Sequence, residues 1–132
     1  MNPNYNITKQ NNVQVLEVRN LLNEFANKEI LRAVQNKMDE GFSNFVVDLK
    51  QIAFMNSVGL NFLIMLKARS NDKGGHIAVA NVSTKVMELL EMTKLRPIFQ
   101  VNNSVEEAVA TFLNHNSPLR MPILGNEMAI KT

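Results

Sequence analysis

The stretch from Phe45 to Leu66 reads FVVDLKQIAFMNSVGLNFLIML. Its first five residues form a short, β-branched apolar run, the composition of a strand buried on both faces as in parallel sheets. From about Val58 the apolar residues continue for too long to be a strand. They read as a helix running to Asn71, where Asn71-Asp72 and Gly74-Gly75 stop it. Between strand and helix lies a polar knot, Asn56-Ser57, followed by Val58 and Gly59. A core strand has no use for such a knot, and a helix interior disfavours it. Asn and Ser do suit helix starts, because their short side chains accept hydrogen bonds from the N–H groups that the first turn leaves without partners. The knot is therefore expected to be a strand-to-helix turn that presents a serine hydroxyl.

The rest of the chain falls into place around this unit. YNITKQ and VQVLEV read as two strands joined at the turn-prone Asn11-Asn12. In the second, Val13 and Val15 share one face, and Leu16 and Val18 the other. From Asn27 the period becomes helical, with Ile30, Leu31, Val34 and Met38 on one stripe and Gly41 at the end. After the central helix, HIAVANV is a strand and Ser83 caps a helix carrying Val86, Leu89 and Leu90. IFQVN is a last strand. Ser104 and Glu107 then form a capping box that opens a final helix with Ala108, Val109, Phe112 and Leu113. Strands alternating with helices imply right-handed crossovers and an α/β fold. The expected architecture is a mixed, largely parallel sheet of about four to five strands flanked by about four helices. Residues 1–114 form the domain, and 115–132, with two prolines and a glycine, form an appendage.

On a helical wheel, Leu60, Leu63, Ile64 and Leu66 gather on one side of the central helix, which is expected to be its core stripe. Val58, Phe62 and Met65 gather opposite. A surface helix needs only one apolar stripe, so the second is expected to meet a neighbouring helix or a partner.

Composition excludes many functions. The chain has 132 residues, enough for one domain with a real core. A formal charge of +2 without a run of Lys and Arg argues against direct nucleic-acid binding. Zero cysteines remove disulfides, thiolate metal sites and cysteine nucleophiles. His76 and His115 are the only histidines and lack a cluster of further ligands, so no metal site is expected. There is no phosphate-cradling G-x-x-x-x-G-K-[ST] loop, and no cofactor is expected. Asp48 ends a strand as a phospho-accepting aspartate does, but VQVLEVRN supplies no acidic pair to hold magnesium. No apolar run approaches the ~20 residues that a membrane span needs. The polar N-terminal dodecapeptide has no apolar core of a secretory signal. The expected address is the cytoplasm, and no enzymatic activity is expected.

The stretch from Val46 to Leu95 resembles a STAS domain of the bacterial anti-sigma-factor antagonist type. The similarity lies in a strand ending Asp48-Leu49, in Phe54-Met55-Asn56-Ser57-Val58-Gly59-Leu60, in the helix and Gly74-Gly75 turn that follow, and in LLEMTKL. The resemblance runs from about Tyr5 to Leu113. It implies that Ser57 is the serine phosphorylated by a partner kinase. Asn56 stands where the family usually has aspartate, Val58 where it often has a second serine, and Gly59 where it has glycine. Asn23 matches an aspartate of the family's second binding loop. Asn23, Asn56, Ser57, Val58, Gly59 and Phe62 are thus the expected partner-binding residues. The implied partners are an anti-sigma factor, itself an ATP-using serine kinase, and a serine phosphatase; homodimerisation is left open. Two further readings compete with this one. The same fold could be a non-switching docking subunit of a lipid-transport or sensory complex, or the chain could be a small α/β enzyme or ligand carrier, for which no convergent polar set is evident.

Overall fold

The structure, a computed structural model, describes residues 4–20 and 23–115, without the side chains of 113–115. Two antiparallel strands, β1 (Tyr5–Gln10) and β2 (Val13–Val18), form the expected hairpin, with Asn11 at φ 57° in its turn. They are followed by α1 (Glu24–Asp39), β3 (Phe45–Asp48), α2 (Ser57–Asp72), β4 (Ile77–Ala80), α3 (Thr84–Met92), β5 (Gln100–Asn102) and α4 (Val105–His115). The sheet order is β1-β2-β3-β4-β5, with β2 through β5 parallel. FVVD is thus the central strand, flanked on both sides. The expected appendage lies outside the described residues except for His115, which closes α4.

Strand order explains the layering. Each parallel crossover moves one strand onward in the same direction, and right-handed crossovers then place their helices on the same face. Leu16, Val18, Phe45, Val47, Ile77 and Val79 accordingly pack with Ile30, Val34, Leu63, Leu66, Val86 and Leu90 of α1, α2 and α3. The alternate residues Val13, Val15, Val46, Ala78 and Ala80 face α4 through Val105, Ala108, Val109 and Phe112. Burial on both faces is why β3 and β4 read as unbroken apolar runs.

Local chemistry sets the boundaries. Ser83 Oγ accepts from the Val86 N–H at 3.1 Å, the expected cap of α3. Ser104 Oγ accepts from Glu107 N–H at 3.0 Å, but Glu107 Oε1 reaches back to the N–H of Asn103 at 2.9 Å, one residue earlier than a capping box requires. The last strand is shorter than expected because a 3-10 turn, Arg96–Ile98, with Pro97 in its first positions and Phe99 as its C-cap, takes Ile98 and Phe99 out of it. Helix α1 starts before Asn27, because Asn23 caps it.

Three helices end in the same way. Beyond each last turn a residue with positive φ lets two further N–H groups fold back on the final carbonyls: Gly41 (φ 105°), Gly74 (φ 75°) and Lys94 (φ 62°). In α2, Gly75 N–H bonds Ser70 O at 2.8 Å and Gly74 N–H bonds Asn71 O at 3.0 Å. The buried Ser70 hydroxyl donates to Ser43 O at 2.6 Å, drawing the end of α2 onto the residues before β3. This brings Gly75 so close that a Cβ there would fall on the Ser43 carbonyl.

Two substitutions measure these constraints in urea titrations. Gly75→Ala should lose about 2–3 kcal/mol, since rigid backbone must shift to admit the methyl; an unchanged midpoint would show that the approach is not needed. Lys94→Gly should gain about 0.5–1 kcal/mol, because the left-handed conformation penalises an L side chain more than glycine's extra unfolded-state freedom does.

Candidate functional site

The C-terminal ends of β2 and β3 feed the N-termini of α1 and α2, and these two helix starts lie side by side. Each is capped by an asparagine in extended conformation. Asn23 Oδ1 accepts from the N–H groups of Phe25 at 2.8 Å and Ala26 at 3.2 Å. Asn56 Oδ1 accepts from those of Val58 at 3.0 Å and Gly59 at 3.3 Å. Asn27, buried in the first turn of α1, donates through Nδ2 to Val58 O at 3.4 Å and ties the two starts together.

Ser57 is therefore not the cap. It is the first residue of α2, exposed, and among the described residues nothing hydrogen-bonds its hydroxyl. Asn56 caps instead because its longer amide reaches the second and third helical N–H groups from outside the helix. The serine hydroxyl is left free of structural duty.

The structure corrects the phase of α2. Gly59, Leu60, Phe62, Leu63, Leu66 and Ser70 are its buried arc. Phe62, expected to meet a neighbouring helix or a partner and named among the partner-binding residues, meets the helix: it is 1% exposed and belongs to the core shared with α1 and the sheet. Gly59, also expected at the partner surface, is buried, and its part in the site is the N–H held by Asn56. Ile64, expected in the core, is 41% exposed, and Met65 beside it is 44% exposed. Leu60, Leu63 and Leu66 lie in the core as expected, and the buried arc extends to Phe62 because the neighbouring helix α1 covers that side, while Ile64 is left outside it. Val58 is half-buried at the edge of that contact.

The outward arc is Ser57, Asn61, Ile64, Met65 and Ala68, all exposed. Ser57, Asn61, Ile64 and Ala68 follow one another at three- and four-residue steps, with Met65 beside Ile64 and four residues after Asn61, so they form one stripe along the helix. None carries a formal charge. Two aromatic side chains flank the helix starts, Phe25 at 78% and Phe54 at 59% exposure. Sequence reasoning missed Phe25, Phe54, Asn61 and Ile64 as surface residues. Counting helical steps from Ser57, with Asn56 fixed as the cap, would have found the last two.

Between α1 and α2 runs a groove. Its upper part, about 210 Å³, is lined by Glu24, Asn27, Lys28 and Leu31 from α1 and by Val58, Asn61, Phe62 and Met65 from α2. Its lower part, about 420 Å³, continues along Lys28, Leu31, Arg32, Gln35, Asn36, Met65 and Arg69. Among the described residues there is no group of acidic residues, histidines or cysteines that could hold a metal ion. No helix among them is long and apolar enough to cross a membrane.

Comparison with known proteins agrees with this geometry. A protein of Bordetella bronchiseptica named as a candidate anti-sigma factor antagonist, BtrV, is 30% identical over 66% of this chain and 76% of its own length. The anti-sigma-B factor antagonist of Staphylococcus aureus is 24% identical over 80% of this chain and 98% of its own. The unphosphorylated form of the anti-sigma factor antagonist SpoIIAA superposes with a TM-score of 0.71 at 16% identity, covering 83% of this chain and 96% of that one. The STAS domain model itself matches residues 4–108, from the start of the hairpin into α4. The chain belongs to the STAS domain family.

Proposed function

We propose that this chain is an anti-sigma-factor antagonist whose binding is switched at Ser57. Unphosphorylated, it docks the Ser57 edge and the outward stripe of α2 on an anti-sigma factor that is also a serine kinase. Sequestering that factor frees a sigma factor, so transcription is regulated indirectly, in the cytoplasm. The kinase brings ATP and magnesium, and a serine phosphatase restores the binding form. This chain is substrate and ligand, with no catalysis of its own. The observation that carries the reading is the exposed, unbonded Ser57 hydroxyl at the head of an uncharged stripe. The names of the relatives support it.

The physical consequence of modification follows from that placement. Phosphorylation adds about −1.5 to −2 charges. The helix start tolerates an anion, since its dipole favours negative charge there. The Val58 and Gly59 N–H groups are already held by Asn56, so the phosphate stays directed at solvent rather than folding into the turn. In a complex, that charge would lose its water against a neutral, partly apolar face, and burial of an unpaired charge is costly. The fold is expected to persist while the interface fails.

The stripe and the core are separable by substitution. Phe62→Asp should cost at least about 3–5 kcal/mol, as an unpaired carboxylate replaces a buried ring. Ile64→Asp should stay within about 1 kcal/mol of the parent in stability, yet bind the kinase at least about tenfold more weakly. Thermal melts beside a binding titration decide it; full binding by a folded Ile64→Asp variant removes the stripe from the interface.

Ser57 itself is tested by a pair of variants. Ser57→Ala should change stability by no more than about 0.5 kcal/mol and bind the kinase constitutively, with intact-mass spectra showing no phosphate added by the kinase. Ser57→Asp should fold as well or slightly better, by about 0.3–1 kcal/mol, and bind at least about tenfold more weakly, ~1.4 kcal/mol. Equal affinities of two well-folded variants would reduce the surface to a fixed docking face, as a lipid-transport or sensory assembly would use.

A further inference from the structure

The groove between α1 and α2 has an electrostatic asymmetry that the Ser57 switch does not require. Its upper end, beside Val58 and Asn61, is walled mainly by amides and apolar groups, with one carboxylate, Glu24, and one ammonium, Lys28, four residues apart on α1. Lower down, Lys28 and Arg32 lie one helical turn apart on α1, and Arg69 faces them from α2. None of the three is in an ion pair among the described residues; Arg69 donates only to Gln35 Oε1, at 3.3 Å. The groove floor is apolar, made of the half-exposed Met65 over the edge of the buried Leu31. Three cations, with no carboxylate among the residues that line this lower part, suit an occupant with the opposite charges around an apolar ridge.

We infer that this groove receives an amphipathic helix of a partner protein, its apolar ridge on Leu31 and Met65 and acidic residues against Lys28, Arg32 and Arg69, at the end remote from Ser57. Shape favours a helix. The α1 wall runs from Glu24 to Asn36, which is about 18 Å at 1.5 Å per residue, or three turns. Laying a third helix along two neighbours is ordinary ridge-and-groove packing. An extended peptide is a poorer occupant: both walls are helices whose own N–H and C=O groups are already paired, so its backbone would find few partners. A lipid chain is poorer still, because Asn27, Gln35, Asn36 and Asn61 interrupt the apolar lining. The inference rests on the preceding reading only in taking the occupant to be a protein.

The test uses the full chain and a designed probe, so that its result is independent of the Ser57 variants. The probe is a helical peptide of about fifteen residues with leucines at i, i+4, i+7 and i+11, flanked by glutamates. Its twin carries lysine at every glutamate. Binding is followed by fluorescence anisotropy and by amide chemical shifts of the labelled protein. The acidic peptide should bind saturably, shift resonances of Leu31, Arg32, Met65 and Arg69, and weaken as salt rises. The lysine twin should not bind. The double variant Arg32→Glu, Arg69→Glu, with an unchanged melting temperature, should lose about tenfold or more in affinity and reverse the preference between peptides. Absence of binding, equal binding of both peptides, or shifts elsewhere on the molecule would overturn the proposal. So would the same resonances responding to phosphatidylglycerol vesicles but not to peptide, or moving with protein concentration alone, which would assign the groove to a lipid surface or to a second copy of the chain.

Discussion

Asn56 holds the first free N–H groups of α2, and everything offered at this edge of the molecule depends on that pair of hydrogen bonds. A helix that follows a buried strand begins with N–H groups that no residue inside the helix can satisfy. If a serine hydroxyl met that need, modifying it would break the cap and shake the helix. Here an amide outside the helix does the work, and Asn23 does the same for α1. The hydroxyl of Ser57 can then gain or lose a phosphate without the first turn losing a partner. Separating the capping group from the hydroxyl proposed for modification would let the surface change its charge on an unchanged fold.

The second dependence is topological. Because β2, β3, β4 and β5 follow one another in order, α1 and α2 must lie next to each other on one face. That adjacency brings Asn27 to Val58 and buries Phe62 under α1. It also leaves a groove open to solvent along the two helices. In a different strand order, α2 would present another arc, and Ser57 would head a different set of side chains. The strand order thus determines which residues can accompany the serine in an interface, although none of them touches the sheet's hydrogen bonds.

Most of the architecture was legible because its signals were local. The run from Phe45 to Leu49 was too continuous and β-branched for a half-exposed strand, and it is the central one. Ser83 and Ser104 announced their helices, and Gly41 and Gly74 their ends. Lys94 hid the same C-terminal motif, since nothing marks a lysine as left-handed. The candidate site was legible in place but not in phase. Ser57 and Asn56 were visible as a polar interruption that starts a helix and presents a hydroxyl, but which of the two caps was not: the asparagine does, and the serine is free. The partner face was misjudged at Phe62 and Ile64 because α2 is apolar nearly all round. Periodicity cannot orient such a helix. Only the position of α1 decides, and that is a tertiary fact. Phe25 was hidden for a related reason: Asn27 looked like the start of α1, so the residues before it were not read as part of a helix.

An amide rather than a carboxylate at position 56 has a physical meaning of its own. Both side chains accept from the same two N–H groups, so the turn would be much the same with either. They differ in charge. A carboxylate one residue before Ser57 would place a negative charge beside the phosphate and add a repulsion that the neutral amide avoids. It would also make the edge negative before modification, so that phosphorylation would deepen an existing charge. With Asn23, Asn56 and Asn61 all neutral, the unmodified edge carries no charge from these positions. A phosphate on Ser57, as proposed, would then be the first negative charge at the cap positions themselves. The contrast between the two proposed states would be one of kind, with the desolvation of a newly created charge opposing docking. The cations that could attract a partner lie farther along the groove, at Arg32 and Arg69. Affinity and switching can in this way be placed at opposite ends of one helix pair.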